Sequence, residues 1–158
     1  RRGTVEFNTG KVDGELFRLP IIEKFYQVGF VRSNRPIFTL QQGIWIKAGK
    51  RLQKGSLIGY VIGRRWQEEY AEQNHEAYRF VKYSGSNELR VDYHAGQLDG
   101  FLSASPTIDQ LMISGKLYEK PELALETSVV SLYHYLHQQY APFMKEFDNM
   151  LKECRDEC

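Results

Sequence analysis

The stretch Gly43–Gly63, GIWIKAGKRLQKGSLIGYVIG, constrains this chain more than any other, because five glycines punctuate short apolar runs within it. Ile44-Trp45-Ile46 and Leu57-Ile58-Gly59-Tyr60-Val61-Ile62 are rich in aromatic and β-branched residues and read as strands. Between them runs a basic turn from Lys47 to Ser56, where Gly49 and Gly55 supply the backbone freedom that a reversal needs. The expectation is a two-stranded ribbon on which the rest of the fold is built.

On either side the pattern is mixed. Val5-Glu6-Phe7 and Val12–Phe17 read as strand or hairpin arms, and Pro20 opens a short helix over Ile21–Tyr26. Phe30-Val31 and Ile37–Leu40 are strand candidates. Arg65–Gln73 is helix-forming. Tyr78–Tyr83 alternates as a strand, and Leu89–Tyr93 reads as its hairpin partner across Ser84–Asn87. His94–Thr107, with its small residues, reads as a loop. From Pro121 onward Val129, Leu132, Leu136, Phe143 and Phe147 follow a helical stripe, with a kink expected at Pro142.

Composition bounds the function. The 158 residues fit one domain with a sizeable core, and a net charge of +1 argues against wholesale nucleic-acid binding. No run is long enough for a membrane-spanning helix, and no signal-peptide pattern is present. The chain opens on Arg1-Arg2 and not on Met, which reads as a piece of a longer polypeptide. Cys154 and Cys158 make no disulfide framework, so they read as ordinary thiols in a reducing compartment.

The motifs with specific chemistry are incomplete. Gly49-Lys50 and Gly55-Ser56 lack the contiguous Gly-Lys-Ser/Thr of a phosphate-binding loop, and no exposed lysine hairpin marks a lipoyl or biotinyl carrier. His134 and His137, three apart, could share a metal, and folding could supply His75 and His94, but the pair alone reads as packing or polar-face histidines, so no metal is expected. Ser103 and Ser105 lack a nucleophile elbow. Lys47, Lys50, Arg51, Lys54, Arg64 and Arg65 form a basic patch suited to phosphate or an acidic peptide.

Taken in order, several pieces resemble the SET-domain family, and its PR-type relatives in particular. Gly43-Ile44-Trp45 stands where that family has a Gly-Val-Trp/Phe strand, followed by Leu52, Gly55, Ile58, Gly59 and Gly63. Tyr78-Arg79-Phe80 follows, then Val91-Asp92-Tyr93 and Gly100–Pro106, so that the resemblance covers residues 37 to 107. It implies an S-adenosylmethionine site at Gly43, Ile44, Trp45, Ser103 and Ser105. Ser103-Ala104 replaces the family's Asn-His pair, and no segment after Pro106 supplies its aligning tyrosine. The resemblance therefore implies a scaffold whose catalytic equipment is lost.

The resulting expectation is an α+β fold, a SET-like core of small β-sheets with C-terminal amphipathic helices. Residues 1–36 flank the core, 37–120 form it, and 121–158 make the helical segment. The favoured function is a non-catalytic module that binds another protein, a histone or a chromatin-complex subunit, in the nucleus or else the cytoplasm. The stripe of Leu132, Leu136, Phe143 and Phe147 would serve the partner or a second copy, and no cofactor is expected. Two alternatives stand beside it. One is a divergent S-adenosylmethionine-dependent protein-lysine methyltransferase with Tyr78, Asp92 and Tyr93 in its pocket. The other is a nucleic-acid-binding domain that uses the patch between Lys47 and Arg65.

Overall fold

The structure is a computed structural model that describes residues 2–156, with side chains as far as Glu153. Two compact units emerge. Unit 1 takes the described parts of 1–39 and 130–158, and unit 2 is Leu40–Val129. The chain passes between them inside two strands, β3 (Phe38–Ile46) and β7 (Glu122–His137).

Unit 2 is an open sheet of mixed direction, in the order β7-β3-β6-β4-β5. It adds β4 (Leu57–Val61), α2 (Arg65–Gln73), β5 (Arg79–Tyr83), α3 (Ser86–His94), β6 (Gly100–Ala104) and α4 (Ser105–Ile113). β4 pairs parallel with β5, Leu57 against Arg79 through Val61 against Tyr83, and parallel with β6. β3 runs antiparallel to β6, from Gln42 against Ala104 to Ile46 against Gly100. Parallel neighbours cannot be joined by a hairpin, so helices carry the crossovers. Alternate residues of each strand feed two cores. On one face Trp45, Val61, Val81 and Phe101 meet Leu89 and Tyr93 of α3 and Ile108 of α4. On the other, Ile44, Ile46, Ile58, Tyr60 and Leu102 meet Trp66 and Tyr70 of α2.

This arrangement corrects the ribbon expected for Gly43–Gly63. Both strands form, but β6 lies between them, and the glycines answer to packing. A Cβ on Gly43 would meet the Leu125 carbonyl oxygen of β7, and one on Gly59 would lie 2.7 Å from Leu98 Cδ1 and 3.2 Å from Leu89 Cγ. Leu89–Tyr93 is helical, not a hairpin arm: it belongs to α3, which buries Leu89 and Tyr93 and ends before Gly96 at φ +77°. The stretch expected as loop holds the buried strand β6 and the start of α4, whose first turn carries Pro106.

Unit 1 contains α1 (Arg2–Asn8), β1 (Gly14–Arg18), a 3₁₀ turn (Pro20–Phe25) and β2 (Phe30–Arg32). A second 3₁₀ turn (Gln138–Tyr140) and α5 (Ala141–Asp156) follow β7. β1 and β2 flank the C-terminal half of β7, both antiparallel to it. Val5-Glu6-Phe7 is thus helical, and the expected helix after Pro121 is instead the strand β7. Leu132 and Leu136 sit on that strand and Phe143 and Phe147 on α5, so the four form no continuous helical stripe. Pro142 opens α5 and kinks nothing.

The core of unit 1 is aromatic. Phe7 stacks on the His137 ring at 4.2 Å, and Tyr26 packs edge-on against Phe30 and Tyr135. Its polar ends are paired. Tyr26 donates to buried Glu15, which also receives Arg18, and Tyr135 donates 2.8 Å to Glu23. Burial and Glu23 push the Tyr135 phenol up to about 12. Of the two terminal cysteines, Cys154 falls within α5, and Cys158 lies outside the described residues.

Replacing Gly43 by Ala forces the backbone of β7 to move, because a carbonyl oxygen and not a pliable side-chain end occupies the space. We expect a loss of about 1–3 kcal/mol in urea denaturation. Unchanged stability would show that β3 and β7 do not approach as described.

Candidate functional site

The sheet of unit 2 has one end richer in chemistry than the other. Because β4, β5 and β6 run parallel and a helix follows each, α2, α3 and α4 all begin at the same sheet end. Each N-terminus carries backbone N–H groups that have no partner inside the helix, and the helix dipole adds partial positive charge there. No side chain caps any of the three.

β4 and β6 are neighbours whose onward connections diverge. α2 leaves β4 to cover one face, and α4 leaves β6 to cover the other. A crevice opens where parallel strands part in this way, and in open α/β sheets ligands bind there. Its walls are Ile62-Gly63-Arg64 on one side and Ala104-Ser105 on the other.

Gln67 bridges the two strands at the base of the crevice. Its side chain is fully buried, its Oε1 accepts from the Val61 N–H at 2.9 Å, and its Nε2 donates to the Leu102 carbonyl at 2.9 Å. The β4–β6 ladder pairs Ile58 with Gly100 and Gly59 with Phe101, and beyond it the Gln67 carboxamide takes the place of a peptide group. Gly63, at φ +81°, lets the chain turn into α2 and donates 3.0 Å to Glu68.

The rim is polar and its groups are paired. Trp45 Nε1 donates 3.0 Å to the Ser103 carbonyl, and Ser105 Oγ accepts from the Gln41 N–H. Thr127 and Ser128 donate to Gln42, at its carbonyl and its side-chain oxygen. Beside them lies a cavity of about 170 Å³ walled by Gln42, Trp66, Tyr70, Thr127 and Ser128. Arg65 pairs with Glu69 one turn on, whereas no described carboxylate lies within 4.0 Å of the half-buried Arg64 guanidinium. A cation beside uncapped helix N-termini makes a site for negative charge, suited to a carboxylate or another small anion.

The residues read from sequence scatter against this frame. Gly43 and Ser103 are register partners, as are Ile44 and Leu102, and Trp45 and Phe101. That adjacency is an ordinary antiparallel ladder. Ser105 stands on the crevice wall and Ser103 is buried two residues below it, while Ile44 and Trp45 are core residues on opposite faces. Tyr78, Asp92 and Tyr93 do not converge. Tyr78 packs 6.2 Å from Phe80 on the α2 face, and Tyr93 is buried on the other. Asp92 accepts 2.7 Å from Tyr83, whose phenol burial and Asp92 push up to about 12.

The basic patch divides as well. Lys47, Lys50, Arg51 and Lys54 lie at or beyond the C-terminal end of β3, at one sheet end, and Arg64 and Arg65 at the other. His134 and His137 approach backbone carbonyls, those of Glu15 and Val12. Gln67 has no motif in the sequence to mark it. The only local signal was a polar residue on the apolar side of an amphipathic helix.

No family model matches the sequence, and no curated protein matches it. Solved structures do. The second substrate-binding domain of a protein named as an amino acid ABC transporter of Streptococcus pneumoniae aligns at TM-score 0.74 and 14% identity, over 97% of this chain and 71% of that one. Substrate-binding domain 2 of Lactococcus lactis GlnP, in an open conformation, aligns at 0.73 and 13%, over 99% and 70%. A protein named as the extracellular-binding protein of an amino-acid ABC transporter in Bacillus subtilis aligns at 0.64 and 16%, over 97% and 69%. The chain has the fold of these binding domains, a mixed α/β architecture with an open sheet.

That likeness overturns the SET-domain resemblance and the function, partners and location drawn from it. The core is not a set of small sheets around a methyl-donor cleft, and its glycines serve strand packing. The chromatin module, the methyltransferase and the nucleic-acid-binding alternative fall together. So do the histone or chromatin-complex partner and the nuclear or intracellular location, since the neighbours are transporter binding domains, one of them named as extracellular.

Replacing Gln67 by Leu keeps the bulk but strands the Val61 N–H and the Leu102 carbonyl. We expect a loss of about 1–3 kcal/mol, read by thermal or urea denaturation. A change within about 0.5 kcal/mol would mean that the bridge contributes nothing.

Proposed function

We propose that this protein is the solute-binding component of a transport system and takes an amino acid or a close relative outside the cytoplasm. The observation that carries the reading is the β4–β6 crevice, with uncapped helices leaving on opposite faces and an unpaired Arg64 at its mouth. The fold of the neighbours, whose names tie them to amino acid transporters, supports the solute class.

In this reading the solute's carboxylate lies against Arg64 and the N-terminal backbone of α2. Ser103 and Ser105 contribute at the β6 side, and Trp66 with Gln42 bounds the cavity that receives part of the side chain. Binding uses hydrogen bonds and charge alone, with no covalent step and no cofactor. The natural partner is a membrane permease that receives the loaded protein.

The test is a thermal-shift screen of the proteinogenic amino acids, followed by calorimetry on the best. At least one should raise the melting temperature in a concentration-dependent way, because a ligand that binds only the folded state stabilises it. Arg64→Ala should weaken that ligand by about tenfold to a hundredfold and leave the melting temperature of the free protein nearly unchanged. A screen with no stabilising amino acid, or full affinity in Arg64→Ala, would refute the assignment.

A further inference from the structure

At the opposite end of the same sheet lies a second cavity, of about 170 Å³, among Lys47, Tyr93, His94, Tyr118, Glu119 and Lys120. It is separated from the crevice by the length of β3. Gln42 pairs with Ala104 at one end of the ladder and Ile46 with Gly100 at the other, one residue before Lys47. At a strand rise of about 3.3 Å per residue, Gln42 and Lys47 stand about 16 Å apart.

The floor is Tyr93, only 3% exposed and packed against Phe101. Its hydroxyl makes no hydrogen bond to any described residue and is not sealed from solvent, since Arg90 Nε is the one buried side-chain polar atom without a partner among the described residues. A phenol hydroxyl with no protein partner is free to donate to a ligand. This one sits on the wall of a cavity. Lys47 reaches over the same ring, its Nζ 5.6 Å from the ring centre, and donates 3.3 Å to the His94 carbonyl. That single bond leaves the ammonium two further protons, and no described carboxylate lies within 4.0 Å of it. Across the mouth His94 and Tyr118 stack at 4.3 Å, fixed by the His94 contact to the Lys116 carbonyl. Glu119, also on the cavity wall, adds a negative charge there.

We infer that this cavity is an auxiliary binding site for a small zwitterion, an α-amino acid with a short side chain. The carboxylate receives the Tyr93 hydroxyl and the Lys47 ammonium, and the amino group faces Glu119 and the Tyr118 ring. Two donors alone would fit a simple anion. The carboxylate at the rim selects a ligand that carries both charges. A volume of about 170 Å³ has room for a ligand as small as glycine, alanine or serine. Nothing in this site is shared with the crevice, so the two stand or fall separately.

The experiment titrates the protein with L-alanine and follows backbone amide resonances of Lys47, Ala48, Tyr118 and Glu119. The wild type should show a saturable shift at these four positions, and Arg64→Ala should leave it unchanged. Tyr93→Phe removes only the unpartnered hydroxyl. It should weaken the saturation about tenfold while the melting temperature of the free protein stays level or rises. Lys47→Met and Glu119→Gln should each weaken it to a similar degree, and acetate or methylammonium alone should not saturate the site. Absence of a saturable shift overturns the proposal, as does equal affinity in Tyr93→Phe. Saturation by acetate as strong as by alanine overturns the zwitterion assignment.

Discussion

The structure depends on one pairing constraint, the parallel alignment of β4 with both of its neighbours. Parallel strands require long crossovers, and helices are the economical way to bury the apolar residues those crossovers carry. Once β5 and β6 both run with β4, the three helices that follow must all begin at one end of the sheet. The positive ends of three dipoles then gather there with no side chain to cap them. The site is thus a consequence of topology before any particular residue is chosen. Arg64 then adds its charge to a field that the backbone has already set.

The divergence of α2 and α4 onto opposite faces would leave a seam of unpaired peptide groups between β4 and β6. Gln67 resolves it with a single carboxamide that acts as donor and acceptor at once. A buried amide in this role stabilises only because both its ends are satisfied. The other end of the sheet shows the contrasting case, where the Tyr93 hydroxyl has no protein partner and stands beside a cavity. A satisfied polar group holds structure, and an unsatisfied one at a cavity wall is available to a ligand.

Much of the local structure was legible. The strands around Ile44 and Ile58, the helix from Arg65, the strand ending at Tyr83 and the short turn after Pro20 all follow from local pattern. What failed was either non-local or two-faced. No residue between Gly43 and Gly63 announces that β6, some forty positions later, will insert between the two strands. β6 itself is buried from Gly100 to Ser103 and so shows no alternation, and its small residues resemble a loop. A side chain on Gly100 would lie 2.8 Å from the Trp45 carbonyl, so that small residue is required by the ladder. β7 was mistaken for helix because Val129, Leu132 and Leu136 fall at three-to-four spacing. Thr127, Val129, Val130, Tyr133 and Tyr135 carried the strand signal that should have prevailed. In α3, Leu89 and Tyr93 stand four apart and Gly96 closes the helix, a pattern that a hairpin reading overlooked. The family comparison failed for a related reason: short strands with glycines at close approaches recur in unrelated sheets.

The crevice was half visible. Ser103, Ser105, Arg64 and Arg65 were all singled out, but for a methyl donor or a phosphate backbone, because chemistry was assigned before topology placed the residues. The most direct measurement is a crystal structure of the protein with the amino acid that stabilises it most. The account predicts a ligand carboxylate against Arg64 and the first turn of α2, with Ser103 or Ser105 within hydrogen-bond reach. A ligand bound in unit 2 with the crevice between Gly63 and Ser105 left untouched would contradict it.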